Sequence, residues 1–229
     1  MTGLRAQPGV ARAARSIEAA AIAGLAHSLL SLVATALLLR SPDPDEGDQV
    51  LAEWYADSGN QRTVILALNL LVLSSIAFVW FVAVIRRRVG SRENRFFGTV
   101  FFGSALLISG AWLSAGVLIA APAVAARSFG VVPDADMVAA LQAAGLGMAS
   151  VVATRLEAVF IVSATTVGRL SEAFPRWLVV VGYTAGLALM VIPVPNTVLV
   201  WVFPCWVAVT SVLLLNRGSK VGSTVAGTD

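Results

Sequence analysis

Apolar residues along this chain fall in long unbroken blocks, separated by short clusters of arginine, acidic residues, glycine or proline. Neither the two-residue alternation of a half-buried strand nor the narrow apolar stripe of a water-facing helix describes that pattern. A helix needs about 20 apolar residues to cross a hydrocarbon core about 30 Å thick. The blocks predict six such spans, at residues 17–39, 63–85, 96–121, 137–167, 177–192 and 197–215. Pro122 is expected to stop the third span, and Pro193 and Pro195 the fifth. Pro204 is expected to kink the sixth at mid-span, which bilayer helices tolerate when neighbours or waters re-satisfy the freed carbonyl. The first block reads as a retained anchor, because its small-residue site, Ala34-Thr35-Ala36, continues into Leu37-Leu38-Leu39 where a cleaved signal turns polar.

The loop after the first span, residues 40–62, opens with the acidic, proline-broken run Ser41-Pro42-Asp43-Pro44-Asp45-Glu46-Gly47-Asp48. Val50, Leu51, Trp54 and Tyr55 then recur at helical spacing opposite Glu53 and Asp57, with Asp48 placed to cap the turn. This predicts a short amphipathic helix ended by Ser58-Gly59-Asn60. It lies on the outer membrane surface with Trp54 and Tyr55 at headgroup level, or packs over the helix ends as a lid.

Composition fits a lipid solvent. Of 229 residues, 58% are hydrophobic and 13% charged, with a mean hydropathy of +0.84; soluble domains carry about a quarter charged residues. The net charge of +3 does not point to nucleic acid, because the charges cap apolar blocks instead of lining one face. They do set orientation. With the N-terminus inside, the inner segments hold twelve basic residues, including Arg86, Arg87, Arg88, Arg92 and Arg95 in one loop, and the outer segments hold only Arg40, Arg62 and Arg127. The positive-inside rule then predicts N-in and C-in. The expected fold is an all-α polytopic membrane bundle, with cytoplasmic tails at 1–15 and 217–229 around a six-helix domain at 16–216. Fifteen arginines to one lysine, with abundant alanine, suggest a high-GC bacterial genome and hence a bacterial plasma membrane.

An ionisable side chain inside a span is costly, so it is the informative one. At 1.5 Å rise per residue, His27 and Glu157 fall about 15 Å from the inner edge, Arg155 about 18 Å, and Asn69 about 10 Å from the outer edge. His27, Asn69, Arg155 and Glu157 are therefore expected to share one polar layer near the midplane. Arg155 and Glu157 lie about 200° apart on their helix and need separate partners. The expected pairs are Glu157 with His27, and Arg155 with Asn69 or Ser109. That layer reads either as a binding or proton-relay site or as a polar clamp that fixes helix register.

A single histidine excludes a bis-histidine haem, and Lys220, in the tail, excludes a retinal Schiff base. No spacing of histidine, cysteine or carboxylate suits a metal, and no phosphate-cradling loop occurs. No cofactor is expected, and enzymatic activity is not. Small-residue pairs at Gly110 with Ser114 and Gly145 with Ala149 suit close helix contacts, within the bundle or toward another membrane protein or a second copy. Three classes follow: a small transporter or ligand- or proton-responsive protein using the polar layer, a non-catalytic membrane-complex subunit or scaffold, and an intramembrane lipid-modifying enzyme. The last lacks a recognisable nucleophile or acid–base pair.

Trp54-Tyr55 in an acidic first loop, Arg155-Leu156-Glu157-Ala158-Val159-Phe160 in the fourth span and Pro175-Arg176-Trp177-Leu178 before the fifth resemble six-helix membrane proteins of the actinobacterial type. The resemblance implies the same architecture and brings no activity, substrate or site residue with it.

Overall fold

Runs of Ala, Leu, Val and Ile leave the backbone no partner but itself, and in an apolar solvent an α-helix satisfies every internal N–H and C=O. The structure, a computed structural model, describes the backbone of residues 8–89, 95–192 and 198–226 and the side chains of 18–43, 45–86, 99–192 and 198–216. Among these the chain is all-α. Helices α1 (Pro8–Leu38), α2 (Asp48–Ala56), α3 (Ser58–Val89) and α4 (Arg95–Phe129) are followed by α5 (Ala135–Gly147). A π-helical segment, Met148–Ala153, carries α5 directly into α6 (Thr154–Leu170); α7 (Arg176–Val191) and α8 (Val202–Ala226) complete the chain. The expected tight turn at 194–196, the tail at 1–7 and loop residues 90–94 lie outside the described residues.

Five stretches are long and apolar enough to cross a membrane by length and composition: Glu18–Leu38, Ser58–Arg86, Thr99–Phe129, Ala135–Leu170 and Leu199–Asn216. The expected fifth span, α7, has 16 residues and falls short of that criterion. Large apolar side chains such as Leu29, Trp80, Leu107, Val180 and Leu187 face outward, as on a surface that meets lipid.

Four local expectations are corrected. Pro122 does not stop the third span; α4 runs through it to Phe129, since one missing N–H removes a single hydrogen bond from a helix whose apolar sequence continues. Pro204 is not at mid-span, because the 3₁₀ turn Leu199–Trp201 precedes α8 and leaves Pro204 in the first helical turn, where its N–H is not needed. Ser58-Gly59-Asn60 does not end α2 but forms the first turn of α3. Asp57 separates the two helices, and its Oδ1 accepts from the Asn60 N–H at 2.8 Å. Asp48 does not cap α2, whose N-cap is Gly47; its Oδ1 accepts from the Ala135 N–H at 2.8 Å, at the start of α5.

That last bond helps define what the outer loop does. Leu51 and Tyr55 are buried with Leu38, Val64, Ala120, Ala123 and Val138 in a satellite core over the ends of α1, α3, α4 and α5. Gln142 Nε2 donates to Pro42 O and Gln61 Nε2 to Tyr55 O, so the segment is stitched down as a lid.

Below the lid, α1 packs between α3 and α8, α4 lies against α3 and α6, and α7 packs on α6. Small residues set the closest approaches. A Cβ on Gly182 would meet the Thr165 side chain, and one on Gly186 would lie 2.6 Å from Val162 Cγ2, so α7 seats on α6 through this pair. Gly145 comes equally close to Ile119 on α4, whereas Gly110 meets open space and Ser114 is exposed.

Candidate functional site

His27 and Ser74 join α1 to α3 deep in the bundle. His27 Nδ1 lies 3.1 Å from Ser74 O and 2.8 Å from Ser74 Oγ, and Ser74 Oγ donates to His27 O at 3.0 Å. A carbonyl oxygen only accepts, so the contact to Ser74 O assigns a proton to Nδ1. Nε2 is buried without a partner. The histidine ring packs on Phe78, with centroids 4.7 Å apart, and edge-on to Phe203 at 6.0 Å.

Glu157 is fully buried on α6, and its Oε1 accepts from Trp112 Nε1 on α4 at 2.7 Å, while Oε2 has no partner. Trp112 also lines, with His27, Ser31, Ser74, Ser75 and Ser109, a cavity of about 10 Å³. That is room for about one water molecule. Trp112 borders a second small cavity of about 30 Å³ toward Leu39, Ile119 and Val200. The indole therefore stands between the two spaces.

Sequence reasoning expected Glu157 to bond His27. The structure instead gives each its own partner and sets Trp112 between them. Arg155 does not reach Asn69 or Ser109. Its guanidinium donates to Thr154 Oγ1 at 3.1 Å and to Ile192 O, just past the end of α7, at 3.1 Å. A cation at a helix C-terminus meets the negative end of the dipole and satisfies an orphan carbonyl. Asn69 faces outward and donates to Ile65 O on its own helix. Ser109 likewise bonds Ala105 O one turn back. Of the four expected layer residues, His27 and Glu157 share the interior around Trp112, Arg155 sits at the end of α7, and Asn69 lies outside the bundle.

A larger space lies further along the axis, past Phe78, Phe160 and Phe203, whose rings stand 5.2–5.6 Å apart. It is a partly enclosed cavity of about 170 Å³ between α1, α3, α4, α6 and α8. Phe81, Phe101, Phe160, Phe174 and Trp206 supply aromatic walls, and Ala164 and Gly168 leave the room. The loop after α6 closes one side. Glu172 adopts φ 56°, the left-handed conformation that ends many helices, and Phe174 N–H returns to Gly168 O at 3.0 Å. Phe174 is thereby laid over Gly168, where a Cβ would collide with its ring. Ile85, Ser171, Phe174 and Leu214, which are among the less buried lining residues, mark the mouth. Arg86 follows Ile85 and stacks on the Phe102 ring at 4.8 Å.

This cavity was missed in the sequence. Its walls come from five helices, and Phe and Trp in an apolar block carry no mark of facing a void. The available signal was the i, i+4 pair Ala164 and Gly168 opposite bulky aromatics. Among the described residues no cluster of three or more metal-ligating side chains occurs. Compared with known proteins, the chain matches no family profile, no curated protein and no solved structure.

Proposed function

We propose that the chain is a multi-pass membrane protein that binds the apolar part of a membrane-soluble molecule in the cavity between α1, α3, α4, α6 and α8. The observation that carries this reading is an aromatic-walled space of about 170 Å³ that packing has left unfilled. Interiors close to crystal-like density, and an apolar void of about 150 Å³ is large enough to bind benzene. A transporter of polar solutes needs an open polar path, and the midplane polar groups instead surround a space of about 10 Å³. Arg86 follows the mouth residue Ile85 and opens the basic run Arg86-Arg87-Arg88, which suits entry from a leaflet with anionic headgroups.

The accompanying topology is six crossings, N-in and C-in, in a bacterial plasma membrane. Chain direction supports it. Val200, just before α8, borders a cavity with Leu39 and Ile119, and Leu214 borders one with Ala20 and Ile85. The chain therefore reaches the start of α8 at the end opposite to the start of α7.

Purified protein in detergent titrated with durene (1,2,4,5-tetramethylbenzene) tests the binding reading. Saturable binding that Ala164→Phe abolishes, with the variant still melting cooperatively, is expected. Binding that is absent, or unchanged in Ala164→Phe, overturns the reading.

A further inference from the structure

Helix α3 carries two stripes of the same spacing on opposite sides. Val64, Ala67, Leu71, Ser74, Phe78 and Phe81 are buried against the bundle. Leu66, Asn69, Leu73, Ile76 and Trp80 face away from it and are exposed. Their steps of three, four, three and four residues repeat every seven, the seam along which two helices pack side by side. In lipid the apolar members need no protein partner, and Asn69 does. It lies seven residues past Arg62, about 10 Å along α3, too deep for its short side chain to reach the headgroups. Its Nδ2 donates to Ile65 O at 2.8 Å, and among the described residues nothing else bonds the amide. With α3 crossing the bilayer, one N–H and the carbonyl oxygen therefore meet hydrocarbon, which offers neither donor nor acceptor.

We infer that a second copy of this chain covers the outward stripe of α3, with the two Asn69 amides hydrogen-bonded to each other. Two copies in one membrane share their orientation, so a two-fold axis relating them runs along the bilayer normal. Two α3 helices that meet on that axis are parallel, and every stripe residue lies opposite its own counterpart. An amide is its own complement, because the N–H and C=O of one match the C=O and N–H of the other. A different membrane protein would need a matching polar group at the same depth; a second copy brings one by symmetry. The seven-residue repeat sets the two helices about 20° apart, the crossing of most membrane helix pairs. Leu66 and Leu73 flank the polar pair one turn to either side, so the amides also fix the register of the seam. None of this rests on the cavity, which α3 lines from its other side through Phe81.

Energy transfer between copies tests the pairing. Cys205, exposed and the chain's single cysteine, takes a donor or an acceptor dye. The full-length protein is then reconstituted in phosphatidylcholine–phosphatidylglycerol vesicles over a series of protein-to-lipid ratios. Transfer that saturates as a dimer is expected for the wild type. Asn69→Leu should need about tenfold more protein per lipid for half-dimerisation, the contribution of an interhelical amide pair. A seam held by apolar packing alone predicts the opposite, since leucine extends the stripe. Asn69 is exposed, so its replacement should leave the melting temperature unchanged. Cross-linking places the seam independently of that variant. In a Cys205→Ser background oxidised with iodine, Leu73→Cys and Ile76→Cys should each form disulfide-linked dimers. Leu187→Cys, on the outward face of α7, should not. Transfer absent at every ratio, or Asn69→Leu dimerising as well as the wild type, overturns the assignment. So does a failure to link at both stripe positions, or linkage at Leu187→Cys equal to that at Leu73→Cys.

Discussion

Trp112 Nε1 lies 2.7 Å from Glu157 Oε1, and this bond ties α4 to α6 at a point where the carboxyl has no other partner. Trp112→Phe keeps the ring and removes the donor, stranding a buried carboxyl. Loss of about 1–3 kcal/mol is expected, read as a melting temperature lowered by several degrees in detergent. Glu157→Gln retains a carbonyl acceptor for the indole and should cost less. The double variant Trp112→Phe/Glu157→Gln should melt no lower than Trp112→Phe alone, because both residues serve one bond. Additive losses in that cycle contradict a shared bond.

Arg155 explains how α7 can stop after 16 residues. Its guanidinium donates to Ile192 O, supplying a partner where a helix ends beside an apolar neighbour. Arg155→Leu should free the last turn of α7 by about 1 kcal/mol, hence about fivefold faster amide exchange near residues 188–192 than in the wild type. Arg155→Lys, which retains charge without the fork geometry, should fall between. Exchange that accelerates equally along all of α6 and α7 would mean that Arg155 holds the whole helix pair and not the helix end.

Much of the architecture was legible in the sequence because apolar blocks translate directly into helix length, and the blocks at α1, α3, α4, α5–α6 and α8 did so. Prolines misled where their position relative to the helix start mattered: Pro204 looked central in its block only because the turn at Leu199–Trp201 has the same apolar composition as the helix it precedes. Partner choice was less legible still. Depth counted along each helix put Arg155 and Asn69 at one level, but depth says nothing about rotation, and Asn69 points away from the bundle. Trp112 carried no signal as a hydrogen-bond donor until α4 and α6 were packed together. The contact of α7 with α6 was nearer the surface of the sequence, since Gly182 and Gly186 stand at a four-residue spacing like the small pairs already noted.

The lid over the outer ends should loosen in alkali. Burial pushes the Tyr55 hydroxyl above its ordinary value of 10.0, and the neighbouring Ser41 and Gln142 side chains oppose that shift without closing a hydrogen bond to it. A raised value means that the folded lid keeps its proton while the opened lid loses it. The lid's stability is therefore complete below about pH 10 and declines as pH rises beyond that point. Limited proteolysis within residues 43–57 should accelerate above pH 10 in the wild type and lose that step in Tyr55→Phe. A step that persists in Tyr55→Phe assigns the opening to another group.

Crossing number is the remaining question that one chemistry can answer, because Cys205 is the chain's single cysteine and is exposed. Cys205→Ser gives a background without thiols, and Asp45, Ser171 and Asn216 are exposed positions in the lid, after α6 and on α8. Each is replaced by cysteine in turn and treated on intact cells with a membrane-impermeant maleimide. Six crossings with both ends inside predict labelling at Asp45→Cys alone, with Ser171→Cys and Asn216→Cys reacting only after lysis. If α7 turns back without crossing, α8 starts inside and Asn216→Cys labels from outside together with Asp45→Cys. The first pattern is expected, because α7 runs from the end of α6 at Leu170 up to the level of Arg155, and α8 returns from Val200 near Leu39 to Leu214 near Ala20. A helix of 16 residues spans about 24 Å, and Ile192 with the residues that follow has only the last few ångströms of a core about 30 Å thick left to cross.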